Sequence, residues 1–240
     1  MVKRGHPLFG IAAVAAAILA VAGTVLVGSA PGASAAVSCD TTNHCYAESV
    51  SSGAANYGVF GYVYIGCSYM PDSGSNFVTS EMWDTGSANA YWTEVGVFSG
   101  LGDYHSWFWA DSRPNGGGFN LHFPNLTAAG TGGTYTIEIN YIGSNDWDIY
   151  EGNSFTDAGE STAQPPSTSS GTTIAGSEYT ANSGFGMRDI GSVAYEEYQN
   201  TSGTWHYVGS TAANEDIGTS HYVTSTYDSG TSTINWTGPC

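Results

Sequence analysis

Basic residues are almost absent from this sequence. Its 240 residues include only four Lys and Arg, against 21 Asp and Glu. Two of the four, Lys3 and Arg4, precede a long apolar run near the N-terminus. The rest of the chain therefore has no lysine and only two arginines, Arg113 and Arg188. A surface this acidic repels polyanions, which excludes nucleic acid and anionic membranes as partners.

The first 35 residues have the three-part pattern of a secretory signal peptide. A basic start precedes an apolar run from Leu8 to Gly28, and Ala33-Ser34-Ala35 fits an A-x-A cleavage site. A retained membrane anchor is the alternative, because the run is about long enough to span a bilayer. We expect cleavage after Ala35 and secretion to the extracellular space. Two basic residues would then face 21 acidic ones, a formal charge of −19, which is compatible with an acidic habitat.

The few cysteines predict disulfides. Cys39, Cys45, Cys67 and Cys240 lie outside the signal segment, and an even number in an exported chain indicates two bridges. Three pairings are possible, and we favour Cys39–Cys240 with Cys45–Cys67, since Cys39 and Cys240 lie near the two ends. Metal binding is the weaker alternative because no C-x-x-C pair occurs. Paired cysteines cannot act as nucleophiles, which argues against a thiol enzyme.

No segment after the signal shows a helical period, and short alternating runs broken by Gly, Asn and Asp predict β-strands. We expect one domain over 36–240, an antiparallel two-sheet sandwich of the jelly-roll, concanavalin-like kind. The Ser/Thr/Pro-rich stretch 154–173 is predicted to be a loop across this sandwich. The predicted strands are 57–66, 77–83, 90–98, 104–110, 118–123, 134–142, 146–151, 173–180, 190–198, 204–209, 219–227 and 231–236.

Most catalytic motifs are missing. No G-x-S-x-G elbow, H-E-x-x-H pair or phosphate-binding glycine loop occurs, and "RPNGGG" lacks the lysine and helix that such a loop needs. Five histidines follow the signal without metal-ligand spacing, so we interpret them as ordinary polar residues and expect no metal or cofactor. They are His44, His105, His122, His206 and His221.

Two strand glutamates, Glu94 and Glu178, are the candidate catalytic residues. Because side chains alternate across a strand, Glu94 shares its face with Trp92 and Gly96, while Glu178 shares its face with Gly176. Each glutamate therefore has a glycine two residues away on its own face, which leaves room above the sheet. Other strand acids compete with this pair, above all Glu81 and Glu138, for which we expect structural roles.

The stretch "EVGVFSG…YHSWFWADSRP" resembles the catalytic-strand region of the glutamic peptidases, the eqolisins. The later segments "TYTIEINYIGSNDWDIYEG" and "TIAGSEYTANSGFGMRDIGSVAYEEY" follow the order of that family's later strands. The resemblance covers roughly residues 77–198. It implies that Glu178 is the catalytic glutamate and that Glu94 stands where eqolisins have Gln and the related plant neprosins have Glu. The implied protein is an acid-acting, cofactor-free, monomeric endopeptidase with a polypeptide substrate.

Aromatic residues near Glu94 suggest substrate contacts, and the candidates are Trp92, Trp107 and Trp109. Two other functions use the same features. Secreted jelly-roll glycosidases also place two glutamates in an aromatic cleft, and "SEYTANSG" resembles the acid/base strand of xylanases. A non-catalytic carbohydrate-binding or cell-surface sandwich would use a platform of tryptophans. That platform would comprise Trp83, Trp92, Trp107, Trp109 and Trp205.

Overall fold

Strands make up nearly all of the regular structure. The computed structural model describes residues 44–69, 77–85, 92–100, 105–113, 118–152, 154–162, 164–180, 188–217, 223–238 and 240. The strands are β1 (His44–Asn56), β2 (Gly58–Tyr69), β3 (Val78–Thr85), β4 (Trp92–Ser99), β5 (His105–Arg113), β6 (Gly118–His122), β7 (Gly133–Gly143), β8 (Asp146–Gly152), β9 (Thr156–Ser161), β10 (Ser167–Thr180), β11 (Arg188–Gln199), β12 (Trp205–Tyr207), β13 (Ala212–Ile217), β14 (Thr224–Asp228) and β15 (Thr233–Thr237).

These strands form two antiparallel sheets that pack on each other. The first sheet has the order β13-β1-β10-β3-β4-β5-β6, and the second has the order β14-β15-β11-β2-β7-β8-β9 with β12 paired to β11. Sequence neighbours are often not sheet neighbours, since β10 lies between β1 and β3. The two-sheet antiparallel sandwich predicted from the sequence is confirmed. No helix that could span a bilayer occurs among the described residues, and the expected signal peptide lies outside them.

The core lies between the two sheets, and alternation decides which residues reach it. In β4, Val95 and Val97 point to the inner face and are fully buried against the second sheet, where Val63 and Ile137 are among their counterparts. Their neighbours along β4 point to the outer face of the first sheet. Burying aliphatic side chains of this size stabilises a fold by about 1.5–3 kcal/mol each. The apolar inner positions therefore fix which side chains of the first sheet face outward.

Each predicted strand overlaps an observed one, but β1, β9 and β13 were not predicted. The sequence of β1, "HCYAESVSSGAAN", is rich in Ser and Ala and shows no clear apolar alternation. The expectation of a loop over 154–173 is wrong, because this stretch contains β9 and the first part of β10. Small polar residues can occupy these strands because the backbone ladder satisfies their polar groups and neighbouring strands supply the burial.

The expected disulfide pairing is wrong. Cys67 is bonded to Cys240, with 6.3 Å between their Cα atoms, and Cys45 is also disulfide-bonded. Strand register explains the Cys67 bridge. Ile190 of β11 pairs with Cys67 on one side and with Thr237 on the other. Only β11 therefore separates the end of β15 from Cys67, and Cys240 follows shortly after β15. The order of cysteines along the chain does not reveal this proximity.

Candidate active site

Three glutamates meet on the outer face of the first sheet. Glu81 of β3 lies between Glu94 of β4 and Glu178 of β10, and one carboxylate oxygen from each residue lies within 4.8 Å of the other two. All three side chains are buried, with exposed fractions of 2–3%. This carboxylate site unites the two glutamates that the sequence singled out with a third that was expected to be structural.

Two glycines flank Glu81 across the sheet, since Gly176 pairs with it from β10 and Gly96 from β4. A Cβ at Gly96 would lie 2.7 Å from the Cβ of Glu81 and 2.3 Å from a backbone oxygen of Ser80. Both distances are far below ordinary contact. Glycine is therefore needed at position 96 for β3 and β4 to pack this closely, because Glu81 and the backbone of Ser80 occupy the place that a side chain would take.

The three carboxyl groups of the site would repel one another if all of them were ionised. Burial raises the pKa of Glu94 well above its ordinary value, and the charge of Glu178 raises it further. The pKa of Glu81 is also raised, first by burial and then by the charges of Glu94 and Glu178. Like charges this close cannot easily ionise together. The site therefore retains protons on Glu81 and Glu94 at pH values where exposed glutamates have lost theirs.

Glu178 differs from the other two because polar side chains from β1 contact its carboxylate. His44 Nδ1 lies within hydrogen-bond distance of Glu178 Oε1, and Tyr46 Oη donates to the same oxygen at 3.2 Å. Burial, followed by the charge of Glu178, raises the pKa of Tyr46 well above its usual range, so Tyr46 remains a phenol and a donor. By contrast, Oε2 of Glu81 has no hydrogen-bond partner among the described residues.

The backbone of β10 fixes the position of Glu178. Its N–H donates to Thr79 Oγ1 at 3.0 Å, and Thr79 Oγ1 contacts its carbonyl oxygen at 3.2 Å. Strand β3 thereby holds Glu178 on one side while β1 supplies the donors on the other. Contacts from two neighbouring strands therefore hold Glu178 in one position.

Aromatic side chains surround the carboxylates on the outer face. Trp83 stacks on Trp92 with centroids 5.3 Å apart and planes at 24°, and Phe119 packs on Trp92 at 5.6 Å. On the other side, Phe98 stacks on Phe77 at 5.6 Å. The carboxylates thus lie in apolar surroundings, the environment in which electrostatic interactions are strongest.

Two of the predicted substrate-contacting residues lie elsewhere. Trp92 is on the outer face beside Glu94, but Trp107 and Trp109 are buried in the core between the sheets. Their Nε1 atoms donate to the backbone oxygens of Thr127 and Ala158. The pairing of Trp107 with the inward-facing Val97 accounts for this placement. Trp107 and Trp109 therefore stabilise the fold and do not line the carboxylate site.

Sequence reasoning missed His44, which was interpreted as an ordinary polar residue. His44 begins β1, a strand that the sequence does not predict. It reaches Glu178, which lies 134 positions further along the chain, only because β1 pairs with β10. A histidine that opens an unrecognised strand gives no signal of this contact. The three carboxylates could also offer oxygen ligands to a hard divalent cation, although protonation of Glu81 and Glu94 opposes cation binding in acid.

No protein-family model and no curated protein sequence match this chain. Two solved structures of Scytalido-glutamic peptidase, one with a peptide based transition state analog and one with a transition state analog inhibitor, do match it. Each has a TM-score of 0.57 and 7% sequence identity, and each alignment covers 81% of the present chain and 98% of the peptidase chain. SCP-B, a member of the eqolisin family in a complex with the tripeptide Ala-Ile-His, matches with a TM-score of 0.49 and 8% identity over the same shares. The first two similarities show that the sandwich has the glutamic peptidase fold, as the resemblance implied.

Proposed function

We propose that this protein is a secreted, acid-acting endopeptidase that uses Glu178 and Glu94 to activate water against a peptide bond. One observation carries the proposal: neighbouring buried carboxylates have unequal partners. Glu178 receives hydrogen bonds from His44 and Tyr46, whereas Glu94 has a pKa raised by burial and by the charge of Glu178. A base and an acid are therefore available side by side, the pairing that water-mediated hydrolysis needs.

Glu178 is the general base in this proposal. His44 Nδ1 and Tyr46 Oη both contact Glu178 Oε1, and these contacts hold the carboxylate that accepts the proton. Two hydrogen bonds of about 2.8 Å can span oxygen atoms up to about 5.6 Å apart, so one water fits between carboxylates within 4.8 Å of each other. That water donates one proton toward Glu178.

Glu94 is the general acid and oxyanion donor. As the water oxygen bonds to the carbonyl carbon, Glu178 takes the water proton and the carbonyl electron pair moves to oxygen, which receives the proton of Glu94. The C–N bond then breaks, and its electron pair goes to nitrogen, which takes the proton held by Glu178. Glu94 recovers its proton from the new hydroxyl group. Both carboxyl groups return to their starting states without a cofactor.

Glu81 keeps the site at a single negative charge. Its raised pKa holds a proton beside the reacting pair, and the neutral carboxyl group avoids the repulsion that a third anion would add. We therefore assign Glu81 a supporting role and expect Glu81→Gln, which is neutral at every pH, to retain more activity than a change at Glu178.

The test is hydrolysis of a denatured protein by the purified mature chain between pH 3 and pH 7. We expect cleavage to peak in acid and to fall by about 10²–10⁴-fold in Glu178→Gln, which lacks the base. Glu94→Gln should retain partial activity because an amide still donates to the oxyanion. Glu160→Gln, which changes an exposed carboxyl group of the second sheet, is the control. A folded protein without cleavage at any pH, or full activity in Glu178→Gln, would refute the proposal.

Glycoside hydrolysis is the second candidate, and the carboxylate spacing supports it. Retaining glycosidases place their two carboxyl groups about 5–5.5 Å apart, whereas inverting ones need about 6.5–9.5 Å. One carboxylate oxygen of Glu94 lies within 4.8 Å of one of Glu178, a separation closer to that of the retaining enzymes. Release of reducing sugar from a soluble xylan or glucan, lost in Glu178→Gln, would favour this function over proteolysis.

A further inference from the structure

The outer face of the second sheet, opposite the carboxylate site, carries an exposed band of aromatic rings. The distances between neighbouring ring centroids are 6.4 Å from Tyr207 to Tyr195, 6.1 Å from Tyr195 to Tyr62 and 5.2 Å from Tyr62 to Phe60. The contacts continue from Phe60 to Phe155 at 6.1 Å. We call these rings, together with Tyr150 and Trp205, which also contact them, the aromatic band. Exposed aromatic patches of this extent mark interaction sites.

The rings are exposed although the core is close by. Tyr207 is 60% exposed, Tyr195 is 49% exposed, and Phe155 and Tyr62 are 43% and 38% exposed. On β2, Val59 and Val63 fill the inner face, so Phe60 and Tyr62 point outward. Core packing therefore explains the burial of their neighbours but not the exposure of these rings.

Backbone conformation adds an independent observation. Tyr195 and Phe155 have φ angles of +56° and +51°, in the left-handed region that bulky side chains avoid. Tyr195 lies in a β-bulge of β11, where the register shifts between Ala194 and Glu197. Both residues present their rings on the same face. Strained residues of this kind persist where the surrounding structure holds them, and they concentrate at functional sites.

Carboxyl groups alternate with the rings across the sheet. Cross-strand pairing places Tyr207 opposite Glu197, Glu197 opposite Phe60, Phe60 opposite Glu138, and Glu138 opposite Tyr150. Since neighbouring strands lie about 4.8 Å apart, aromatic residues of this row recur about every 9.6 Å, which is about the length of two sugar rings. Burial raises the pKa of Glu138 to about 7, so in acid its carboxyl group can both donate and accept.

We propose that the aromatic band binds a neutral, extended polysaccharide whose ring faces stack on the aromatic residues and whose hydroxyl groups bond to the intervening carboxyl groups. Aromatic rings offer flat apolar surfaces with polar tips, and carboxylates accept hydrogen bonds from hydroxyl groups. Neither Arg113 nor Arg188 pairs into this row, so the row itself contains no arginine that would attract a polyanion. The site is separate from the carboxylate site and does not depend on the endopeptidase proposal.

Affinity electrophoresis of the mature protein in gels containing hydroxyethylcellulose tests this proposal. We expect the wild-type chain to be retarded, and Tyr62→Ala and Tyr207→Ala each to weaken binding by at least ten-fold, because each removes an exposed ring. Ile142→Ala is the matched control, since Ile142 is an exposed apolar residue of β7, 51% exposed, that carries no aromatic ring. Glu178→Gln should bind like the wild type, which separates the band from the carboxylate site. Carboxymethylcellulose, which is anionic, should bind more weakly.

Three outcomes would overturn the proposal. The first is the absence of retardation by hydroxyethylcellulose and by laminarin, a neutral glucan of different linkage. The second is equal retardation of the wild type and both tyrosine variants. The third is a dimer in sedimentation experiments that dissociates in Tyr62→Ala, which would make the band an interface between copies of this chain. Circular dichroism of each variant shows whether the fold is retained, so that loss of binding reports on the ring.

Discussion

The buried carboxyl group of Asp189 should make the free energy of unfolding depend on pH. Asp189 is fully buried in β11, where it accepts hydrogen bonds from Ser177 Oγ at 2.5 Å and Trp236 Nε1 at 2.8 Å. Burial raises its pKa to about 7, whereas aspartate in an unfolded chain has a pKa of about 3.9. Between these values the folded protein keeps a proton that the unfolded chain has lost. The free energy of unfolding therefore falls as the pH rises.

The magnitude follows from the two pKa values. One extra bound proton gives a slope of about 1.4 kcal/mol per pH unit, and integration from pH 4 to pH 7 gives a loss of about 3 kcal/mol for Asp189. This contribution is fully present below the unfolded pKa and is lost as the pH approaches 7. Small domains have unfolding free energies of about 5–15 kcal/mol, so a single carboxyl group changes a large part of the stability.

Asp189→Asn tests this coupling because asparagine has nearly the same shape and does not titrate. Urea unfolding followed by tryptophan fluorescence at pH 4, 5, 6, 7 and 8 gives the free energy of unfolding at each pH. We expect the slope near pH 5–6 to be less steep in the variant by about 1.4 kcal/mol per pH unit. Glu196, whose pKa burial raises to about 8, should maintain part of the remaining slope.

Glu160→Gln, at an exposed position of β9, controls for the loss of one negative charge. Parallel curves for Asp189→Asn and the wild type would refute the reasoning, because the buried carboxyl group would then not be the source of the slope. A wild-type protein that gains stability from pH 4 to pH 7 would contradict the sign itself.

Three further predictions concern the site and the framework. His44→Gln should lower kcat in acid by about 10-fold or more with little change in KM, since it removes a partner of the base, and steady-state kinetics measures this split. Gly96→Ala should lower the free energy of unfolding by about 1–3 kcal/mol, because its Cβ would meet Glu81 at 2.7 Å; unchanged urea unfolding would contradict this. Replacing Cys67 and Cys240 with serine should cost about 2–5 kcal/mol, measured by thermal unfolding, and an unchanged Tm would show that the bridge adds no stability.

Sequence alternation was sufficient for part of the site. Glu94 and Glu178 each share a strand face with a glycine, and this local pattern singled them out; that both lie on the outer face of one sheet is known only from the structure. Glu81 joins them because β3 lies between β10 and β4, an order that no local pattern encodes. The same missing information explains why a structural role was expected for Glu81.

Other errors have the same origin in long-range pairing. The period-two pattern puts Trp107 and Trp109 on one face of β5, but the pairing of Gly96 with Phe108 decides that this face is the inner one. Likewise, Cys67 reaches Cys240 through the register of β11 with two neighbouring strands. Fold class is readable from short-range alternation, whereas partners across the sheet depend on the topology.

In a two-layer sandwich the two outer faces lie close together and point in opposite directions. Packed sheets lie about 10 Å apart, and the carboxylates of the first sheet and the aromatic band of the second sheet face in opposite directions. A molecule lying flat on a solid polymer through Tyr62 and Tyr207 would turn its carboxylate site to the surrounding liquid. Adsorption would then hold the protein in a single orientation and concentrate it at a surface, while dissolved molecules could still diffuse to Glu178.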